Sequence, residues 1–278
     1  MNQKEGDRDW IKSFYAAAAE WWGVSWYDGE NLDSRLDIVK KYASEKDKRI
    51  LELAAGTGET AAYFCDHGYS VLAVDICHKN IELMLSIQKE RPHLQIMEGD
   101  FLKIHIQEQF PTVCMFESFG FGSDQEQQRL LRRISGDWLT PNGVLILDVY
   151  HPVGPIGADG TKRELDKLEN IPGSVDMTEY SYYDPIKSRW IDIWEPRNDK
   201  ESAKTQSLRC YTPADFILLV ENCGLSIEKM LYNGQEFDYE TTEVVSDDLF
   251  NDDRNYSYTV IMRKKTWFSD SPKEGSST

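Results

Sequence analysis

Residues 50–60 read Ile-Leu-Glu-Leu-Ala-Ala-Gly-Thr-Gly-Glu-Thr, an apolar run that carries one acid and ends in a turn of small residues. A helical segment is predicted next, from Thr60 to His67. A second apolar run follows at residues 71–75, reads Val-Leu-Ala-Val-Asp and closes with an acid. The pattern predicts a strand, a tight turn, a helix and a second strand, which is the opening unit of an α/β fold with a parallel sheet.

The turn and the end of the second strand are suited to a nucleoside. Small residues from Ala54 to Gly58 let backbone approach a ligand closely, and the start of the helix offers unpaired N–H groups. Asp75, at the end of the second strand, can accept hydrogen bonds from both hydroxyls of a ribose. Glu59 lies close to where the pyrophosphate of a dinucleotide would bind, and its charge repels phosphate. A nucleoside without phosphate therefore fits better than a dinucleotide.

The same stretch resembles motif I of the class I S-adenosylmethionine-dependent methyltransferases, in which an acid precedes Gly-x-Gly-x-Gly. Glu52 takes the place of the acid, and Ala54 replaces the first glycine with another small residue. Gly56 and Gly58 match the remaining two glycines. The resemblance implies that these four residues belong to the site for S-adenosylmethionine.

Further matches follow downstream in the order that the family shows. Residues 94–101, Leu-Gln-Ile-Met-Glu-Gly-Asp-Phe, resemble the third strand and its turn. In the family an acid at this place, here Asp100, meets the adenine amino group, and the next residue, Phe101, packs on the ring. The resemblance likewise places Asp75 on the ribose, with Ile76 beside it in the cofactor site.

The fourth and fifth strands carry the next matches. Residues 113–120 resemble the fourth strand and the active-site loop, and residues 139–148 resemble the fifth strand, with Pro-Asn-Gly in place of the usual Pro-Gly-Gly. In the family this loop touches both the methyl donor and the acceptor. We therefore assign Glu117 to the cofactor site, and Ser118 and Phe119 to the acceptor site.

The resemblance implies a Rossmann-like α/β fold with a seven-stranded, mostly parallel sheet and helices on both faces. Two alternating strands are predicted at 177–185 and 189–195, around an Asp-Pro turn. A helix at 213–223 and two closing strands are predicted after them. We divide the chain into an N-terminal helical lid (1–45), an S-adenosylmethionine-binding core (46–150), a substrate-cap insertion (151–207), the C-terminal part of the core sheet (208–266) and a tail expected to be disordered (267–278).

The lid and the insertion are rich in aromatic residues, and we expect them to cover one pocket. Such a cover excludes water, and aromatic faces attract a sulfonium or a cationic amine. We assign Trp22 and Trp190 to the acceptor site and Tyr27 to the cofactor site. The alternative is that these rings only bury a helix and a hairpin. Arg35 resembles the arginine that holds the methionine carboxylate in some amine-methylating relatives, and the alternative for it is a surface ion pair.

The chemistry that the resemblance implies is methyl transfer by in-line displacement. A hydroxyl or ammonium acceptor must also lose a proton. His151 follows the fifth strand, at the end of the sheet that faces the ligand crevice, and a neutral imidazole can accept that proton. We therefore predict that His151 is the catalytic base. The alternatives are a loop histidine that packs beside Pro152, and catalysis by alignment alone.

The amino-acid composition limits the kinds of partner and the cellular location that the protein can have. The net charge is −17, which opposes phosphate backbones and favours a small neutral or cationic molecule, unless the charge serves only solubility. The five cysteines are odd in number and widely spaced, so we expect reduced thiols and no metal site. A polar N-terminus and the absence of about 18 consecutive apolar residues predict neither a signal peptide nor a membrane span, and so a cytoplasmic location.

Together these observations predict an S-adenosylmethionine-dependent methyltransferase that acts on an oxygen or nitrogen of a small molecule. No nucleic acid or membrane partner is expected. Two alternatives stay open at this point. One is a catalytically inactive protein of the same fold that binds the cofactor and regulates a partner. The other is a methyltransferase that acts on tRNA or on protein.

Overall fold

The structure is a computed structural model that describes residues 9–22, 29–169, 173–240 and 256–265 of the chain. None of the described helices is both long and apolar enough to cross a bilayer. Two short turns of other helical types occur at Ile134–Trp138 and Lys200–Ser202. The α-helices are α1 (Asp9–Trp22), α2 (Gly29–Tyr42), α3 (Glu59–Asp66), α4 (His78–Gln88), α5 (Asp124–Arg133), α6 (Val153–Gly157) and α7 (Pro213–Val220).

The strands form two separate sheets. In chain order they are β1 (Arg49–Leu53), β2 (Ser70–Asp75), β3 (Leu94–Glu98), β4 (Phe110–Phe119), β5 (Leu139–Tyr150), β6 (Thr161–Leu165), β7 (Met177–Asp184), β8 (Arg189–Pro196), β9 (Lys204–Arg209), β10 (Leu225–Tyr232), β11 (Gln235–Phe237) and β12 (Ser257–Lys264). The large sheet has the order β11-β10-β12-β5-β4-β1-β2-β3, and the small sheet has the order β6-β7-β8-β9.

The large sheet is mostly parallel, which confirms the predicted α/β fold class. The first five strands of the chain pair in parallel, and β12 lies antiparallel between β5 and β10. The described residues give this sheet eight strands where seven were expected. The extra strand is β11, which folds back on β10 through Asn233 and Gly234, both at positive φ. An Asn-Gly pair favours this type of two-residue hairpin turn.

Helices cover both faces of the large sheet and bury its apolar strands. One face packs against α5 and α7, where Leu131 and Phe216 are fully buried. The other face packs against α2, α3 and α4, where Val39, Phe64 and Met84 are fully buried. A sheet covered on both faces needs near-continuous apolar strands, which accounts for the runs that mark β1 and β2 in the sequence.

The small sheet is antiparallel, and it lies within the predicted insertion except for the last two residues of β9. Its central hairpin is the one predicted from the alternating pattern, with β7 and β8 paired from Met177 and Pro196 to Asp184 and Arg189. Two further strands, β6 and β9, flank this hairpin and were not predicted. Helix α1 packs against strand β9 of the small sheet and against helix α4, which covers the large sheet. It therefore bridges the two sheets.

The small sheet is joined to the large sheet at the loop after β4. The backbone N–H of Arg209 donates to the carbonyl of Gly120 at 2.9 Å, and Nη2 of Arg189 donates to the same carbonyl at 3.2 Å. Gly120 has a φ of +122°, and a Cβ atom there would lie 2.6 Å from the carbonyl oxygen of Arg209. Only glycine therefore allows the two backbones to approach this closely.

Candidate functional site

A cavity of about 670 Å³ lies between the carboxyl ends of the parallel strands, helix α1 and the inner face of the small sheet. This volume is within the range of roughly 300–1,000 Å³ that is typical of small-molecule pockets. We call the part formed by the large sheet the core half; it contains eight of the predicted site residues, Ala54, Gly56, Asp75, Ile76, Asp100, Phe101, Glu117 and Ser118. We call the part formed by the small sheet the insertion half; it contains Trp190.

The loop after β1 has a left-handed backbone that brings it to the cavity. Ala54, Gly56 and Gly58 have φ values of +53°, +58° and +91°. A Cβ atom on Gly58 would lie 2.4 Å from Cγ of Met84, whereas a Cβ atom on Gly56 would meet nothing within 4 Å. Gly58 therefore seats the start of α3 against α4, and Gly56 leaves open space in the cavity wall.

Asp75 at the end of β2 fixes this loop with hydrogen bonds. Its Oδ2 accepts from the backbone N–H of Gly56 at 2.8 Å, and its Oδ1 accepts from the backbone N–H of Cys77 at 2.8 Å and from Nδ2 of Asn80 at 3.2 Å. Burial raises the pKa of Asp75 to about 6, and these hydrogen bonds oppose the rise. The carboxylate is thus held in one orientation at the cavity wall.

Glu52 and Gly58, also predicted from motif I, lie behind the wall rather than on it. Glu52 is buried within β1, and its Oε2 has no hydrogen-bond partner among the described residues. Burial raises its pKa to about 8, and the nearby Arg35 charge opposes the rise. Glu52 is therefore a neutral acid near pH 7, beneath the loop that it precedes.

The turn after β3 presents Asp100 and Phe101 to the cavity. Oδ1 of Asp100 accepts from the backbone N–H of Leu102 at 2.9 Å. The carbonyl of Phe101 accepts from Nη1 of Arg133 at 2.6 Å, so α5 holds the turn from the outer side. These contacts fix the turn, and both Asp100 and Phe101 line the cavity half in which Asp75 lies.

Arg35 is buried and does not form the surface ion pair considered above. Its Nη1 donates to Oγ1 of Thr60 at 2.8 Å, its Nη2 donates to Oε2 of Glu117 at 2.8 Å, and its guanidinium lies 4.8 Å from the centre of the Phe116 ring. Glu117 lines the cavity with a positive φ of +48°. Because a non-glycine residue is strained in that region, the buried arginine and the loop together hold Glu117 in place.

The structure does not bring His151 or Phe119 to the cavity wall. Phe119 is fully buried in the core, where its ring packs against Tyr211 and Phe216. His151 lies near Tyr258, and its Nδ1 accepts from the backbone N–H of Val153 at 3.2 Å. Burial lowers the pKa of His151 to about 4, so its ring is neutral at pH 7. Neither side chain lines the cavity, so the structure does not support the acceptor-site assignment of Phe119 or the catalytic assignment of His151.

The aromatic residues assigned to the lid are only partly within the described structure. Tyr27 and the side chain of Trp22 lie outside the described residues. Helix α1 instead presents Phe14 and Tyr15 to the cavity, together with Ile11, Ala18 and Ala19. The Phe14 ring meets Trp194 of the small sheet edge-on, with 5.7 Å between the ring centres.

Trp190 forms part of an aromatic wall at the junction of the two halves. Its ring meets Tyr150 and Tyr256 edge-on, with 5.6 Å between the ring centres in each pair. Tyr150 ends the fifth parallel strand and donates its hydroxyl to the carbonyl of Glu117 at 2.9 Å. The wall therefore continues from the core half into the insertion half without a break.

The sequence reasoning missed the polar residues of the insertion half. Glu179, Ser181, Asp192 and Gln206 are buried, and all four line the cavity. They occupy alternate positions of three neighbouring strands, so they share one face of the small sheet. The alternation in residues 189–195 was visible in the sequence, where Trp-x-Asp-x-Trp repeats with a period of two, but it did not show which face is inward.

The eight predicted residues of the core half lie within the segment that matches a known protein family. Residues 50–143 match the protein family described as "Methyltransferase domain". Over 178 residues the chain is 24% identical to an uncharacterized methyltransferase of Staphylococcus carnosus (strain TM300), and the match covers 60% of this chain and 82% of that relative. The chain therefore carries a methyltransferase domain over residues 50–143, as its resemblance to the class I S-adenosylmethionine-dependent methyltransferases predicted. Its cofactor is S-adenosylmethionine, and it is a transferase.

Solved structures share the fold of this methyltransferase beyond the matched segment. The CcbJ methyltransferase from Streptomyces caelestis superposes with a TM-score of 0.68 at 19% identity, over 87% of this chain and 94% of CcbJ. The sugar N-methyltransferase KedS8 from Streptoalloteichus sp ATCC 53650 superposes with a TM-score of 0.60 at 15% identity, over 95% of this chain and 96% of KedS8. The fold that these proteins share includes the insertion as well as the core.

Proposed function

We propose that this methyltransferase transfers the methyl group of S-adenosylmethionine to an oxygen or nitrogen atom of a small molecule. The observation that carries the proposal is the continuity of the cavity from Asp75 in the core half to Asp192 in the insertion half. A cofactor bound in the core half would share that cavity with an acceptor in the insertion half. Direct transfer needs such an arrangement, since the reacting atoms must come within about 3.5 Å in line.

The core half offers the groups that a nucleoside requires. Asp75 is proposed to bind the ribose hydroxyls, Asp100 the adenine amino group, and Phe101 and Ile76 the faces of the ring. Asp75 fits this role because it lies on the cavity wall and because its Oδ2 accepts one hydrogen bond, from the backbone of Gly56, and can accept another from the ribose. The left-handed loop at Gly56 leaves the space for close approach.

Arg35 is proposed to act through Glu117 rather than by direct contact with the methionine carboxylate. The guanidinium is buried and already binds the Glu117 carboxylate at 2.8 Å. Glu117 lies on the cavity wall and is directed there by this contact. We propose that Glu117 faces the methionine part of the cofactor, with Ser118 beside it at the boundary with the acceptor.

The chemistry rests on alignment and on exclusion of water. S-adenosylmethionine supplies a methyl group with a good leaving group, a sulfonium sulfur. The chain supplies the aromatic wall of Tyr150, Trp190 and Tyr256, which lines the junction of the two halves. A dry, preorganised site strengthens each polar interaction within it. His151 is not assigned a role in proton removal, because it lies outside this wall.

The size and charge of the site support a small acceptor. The acceptor would occupy the part of a cavity of about 670 Å³ that the cofactor leaves, which suits a small molecule better than a folded protein or a tRNA. The net charge of −17 also opposes a nucleic-acid partner. KedS8, which shares the fold, is a sugar N-methyltransferase, and this likeness favours nitrogen over oxygen. All five cysteines are free, which supports a reducing, cytoplasmic location.

Transfer of a labelled methyl group tests the proposal. The full chain would be incubated with methyl-labelled S-adenosylmethionine and, in separate reactions, a small-molecule extract, bulk tRNA and a protein extract. We expect label in the small-molecule reaction alone. Label in tRNA or protein would overturn the acceptor class. Cofactor binding by calorimetry with no transfer in any reaction would instead favour the inactive, cofactor-binding alternative.

A further inference from the structure

The inner face of the small sheet carries two buried acids whose charges are balanced differently. Glu179 on β7 is paired with Arg163 on β6, whose Nε and Nη2 lie 2.7 Å and 2.6 Å from Oε2 of Glu179. Asp192 on β8 lies on the same face, directly opposite Ser181 of β7 and Gln206 of β9. The cation of Arg163 therefore belongs to Glu179, and the charge of Asp192 needs a separate account.

Asp192 is held only by uncharged donors. Ser181 donates its hydroxyl to Oδ1 at 2.9 Å, while Trp194 Nε1 and Gln206 Nε2 donate to Oδ2 at 2.7 Å and 3.2 Å. No lysine or arginine among the described residues forms a salt bridge with it. Two of the donors are fixed in turn, since Trp190 Nε1 donates to Ser181 Oγ and Tyr15 donates its hydroxyl to Gln206 Oε1, both at 3.3 Å.

An ionised carboxylate in this position is costly for the protein alone. Asp192 is about 1% exposed, and burial, followed by repulsion from Glu179, raises its pKa to about 7. The chain nevertheless directs three donors at it, an arrangement that stabilises the ionised form. A carboxylate offers about four lone-pair sites, so Oδ1 can accept one more donor. That carboxylate lies on the cavity wall.

Resting on the proposed function, we infer that the acceptor is an amine, and that Asp192 binds its ammonium form and then takes its proton. The proton moves from the amine nitrogen to Oδ1 of Asp192, which becomes a neutral acid. The nitrogen lone pair then forms the bond to the methyl carbon as the carbon–sulfur bond breaks and its electrons stay on sulfur. The products are a methylammonium, a neutral thioether and one proton that Asp192 releases to water.

The aromatic residues of the insertion half suit a cationic group, and the one arginine among the described residues that line this half, Arg163, is paired with Glu179. The indole N–H groups of Trp190 and Trp194 donate within the hydrogen-bond network of Asp192. Both residues also line the cavity beside Asp192. Phe14 and Tyr15 of α1 complete that wall. Aromatic faces attract an ammonium, and a desolvated site increases the effect. An alcohol of the same shape gains neither this attraction nor an ion pair.

A binding experiment with matched ligands tests the inference without knowledge of the natural acceptor. The full chain, saturated with S-adenosylhomocysteine, would be titrated with benzylamine and benzyl alcohol, and with glucosamine and glucose. We expect each amine to bind at least about 10-fold more tightly than its alcohol, and Asp192→Asn to remove that preference. The matched control is Asp166→Asn, which changes the charge equally at an exposed acid and should keep the preference.

The pH dependence separates a proton-accepting role from a structural one. Benzylamine affinity should rise from pH 5 to pH 8 in the parent chain as Asp192 ionises, because benzylamine stays an ammonium over this range, and should be flat in Asp192→Asn. The charged or titratable groups around Asp192 are Glu179 on β7, Arg163 on β6, Lys204 on β9 and Tyr15 on α1. A Glu179→Gln variant should keep the rise, because Asp192 remains.

Each outcome decides for or against the inference. Equal binding of amine and alcohol by the parent chain, or an unchanged preference in a folded Asp192→Asn variant, would overturn it. Failure of S-adenosylhomocysteine to bind would overturn the proposed function itself. Methylation of an alcohol with no amine preference would leave the proposed function standing and reject Asp192 as the amine site. Circular dichroism of each variant confirms that it is folded.

Discussion

The two halves of the cavity hold their acids in different ways. In the core half, Asp75 is oriented by backbone N–H groups of Gly56 and Cys77, which lie within the same strand–loop–helix segment or directly after it. In the insertion half, Asp192 is oriented by side chains from β7, β8 and β9. The first arrangement depends on loop shape, and the second depends on the register of three strands. The core half can therefore keep one ligand while side-chain changes in the insertion half alter the other.

The strongest test of this contrast is a change of loop shape in the core half. Gly58→Val should lower the free energy of unfolding by roughly 2–6 kcal/mol, because it combines backbone strain at φ +91° with a clash against Met84. Gly56→Ala is the matched control, since its Cβ has free space, and should cost only about 1–2 kcal/mol. Urea denaturation measures both. Equal losses of unfolding free energy in the two variants would show that packing against α4 does not determine the conformation of the loop after β1.

The next largest effect is expected on cofactor affinity. Asp75→Asn should weaken S-adenosylmethionine binding by about 1–3 kcal/mol, because a charged acceptor for the ribose is lost. Glu98→Gln serves as the control, since Glu98 ends the neighbouring strand β3 but has an exposed side chain. Calorimetry should show a loss for the first variant alone. Unchanged affinity in a folded Asp75→Asn variant would remove Asp75 from the cofactor site.

Glu52 should give the stability of the core half a dependence on pH. Its folded pKa of about 8 lies above the unfolded value of 4.5, so the folded state binds the extra proton between these limits. The free energy of unfolding therefore falls as pH rises through this window, by at most about 1.4 kcal/mol per pH unit for this group. Glu52→Gln should remove that part of the slope, and Glu90→Gln, at an exposed position, should not. Identical slopes for the parent chain and Glu52→Gln would refute the buried neutral acid.

Helix α1 should respond to ligands more weakly than these substitutions. It packs on the small sheet through Phe14 and on β9, yet it also forms a wall of the cavity. Amide exchange over residues 10–22 should slow a few-fold when S-adenosylhomocysteine and benzylamine are both bound. Equal exchange rates with and without ligands would show that α1 is a fixed part of the packing rather than a mobile cover.

The smallest effect is expected at His151. His151→Ala should leave turnover within about threefold of the parent chain, because the ring lies outside the cavity and away from any acceptor. Tyr150→Phe, one residue earlier and on the wall, should have the larger effect, since its hydroxyl binds the carbonyl of Glu117. A loss of about 100-fold or more in His151→Ala would restore the histidine as the base.

The elements that could be predicted from the sequence are those with a local pattern of apolar residues. The apolar runs of β1 and β2, the turn between them and the alternating hairpin of β7 and β8 all appeared in the sequence, because burial on two faces or one leaves a periodic pattern. Strands β6 and β9 were missed because they are polar, as Thr-Lys-Arg-Glu-Leu and Lys-Thr-Gln-Ser-Leu-Arg show. Only pairing with the hairpin makes them strands.

The candidate site, like the fold, could be predicted only in part. Eight residues assigned to the core half line the cavity because a parallel sheet brings its strand ends together. Phe119 and His151 do not line the cavity, and the sequence did not show the register shift between Met115 and Phe119 that precedes the loop. Asp192 was not identified because its inward direction follows from the register of β8 with both neighbours. Such register depends on contacts far apart in the chain.

The contact at Gly120 has a practical consequence for anyone who wishes to change what this enzyme methylates. The carbonyl oxygen of Gly120 accepts hydrogen bonds from the backbone N–H of Arg209 and from the side chain of Arg189. These two bonds fix the small sheet to the loop after β4 at a single backbone oxygen. A sheet from a different methyltransferase could be exchanged for residues 160–209 if it brings to this carbonyl one backbone N–H, as at Arg209, and one arginine side chain, as at Arg189. Gly120 would then serve as the common coupling of a modular enzyme, and it is the residue that recombination of such parts should leave untouched.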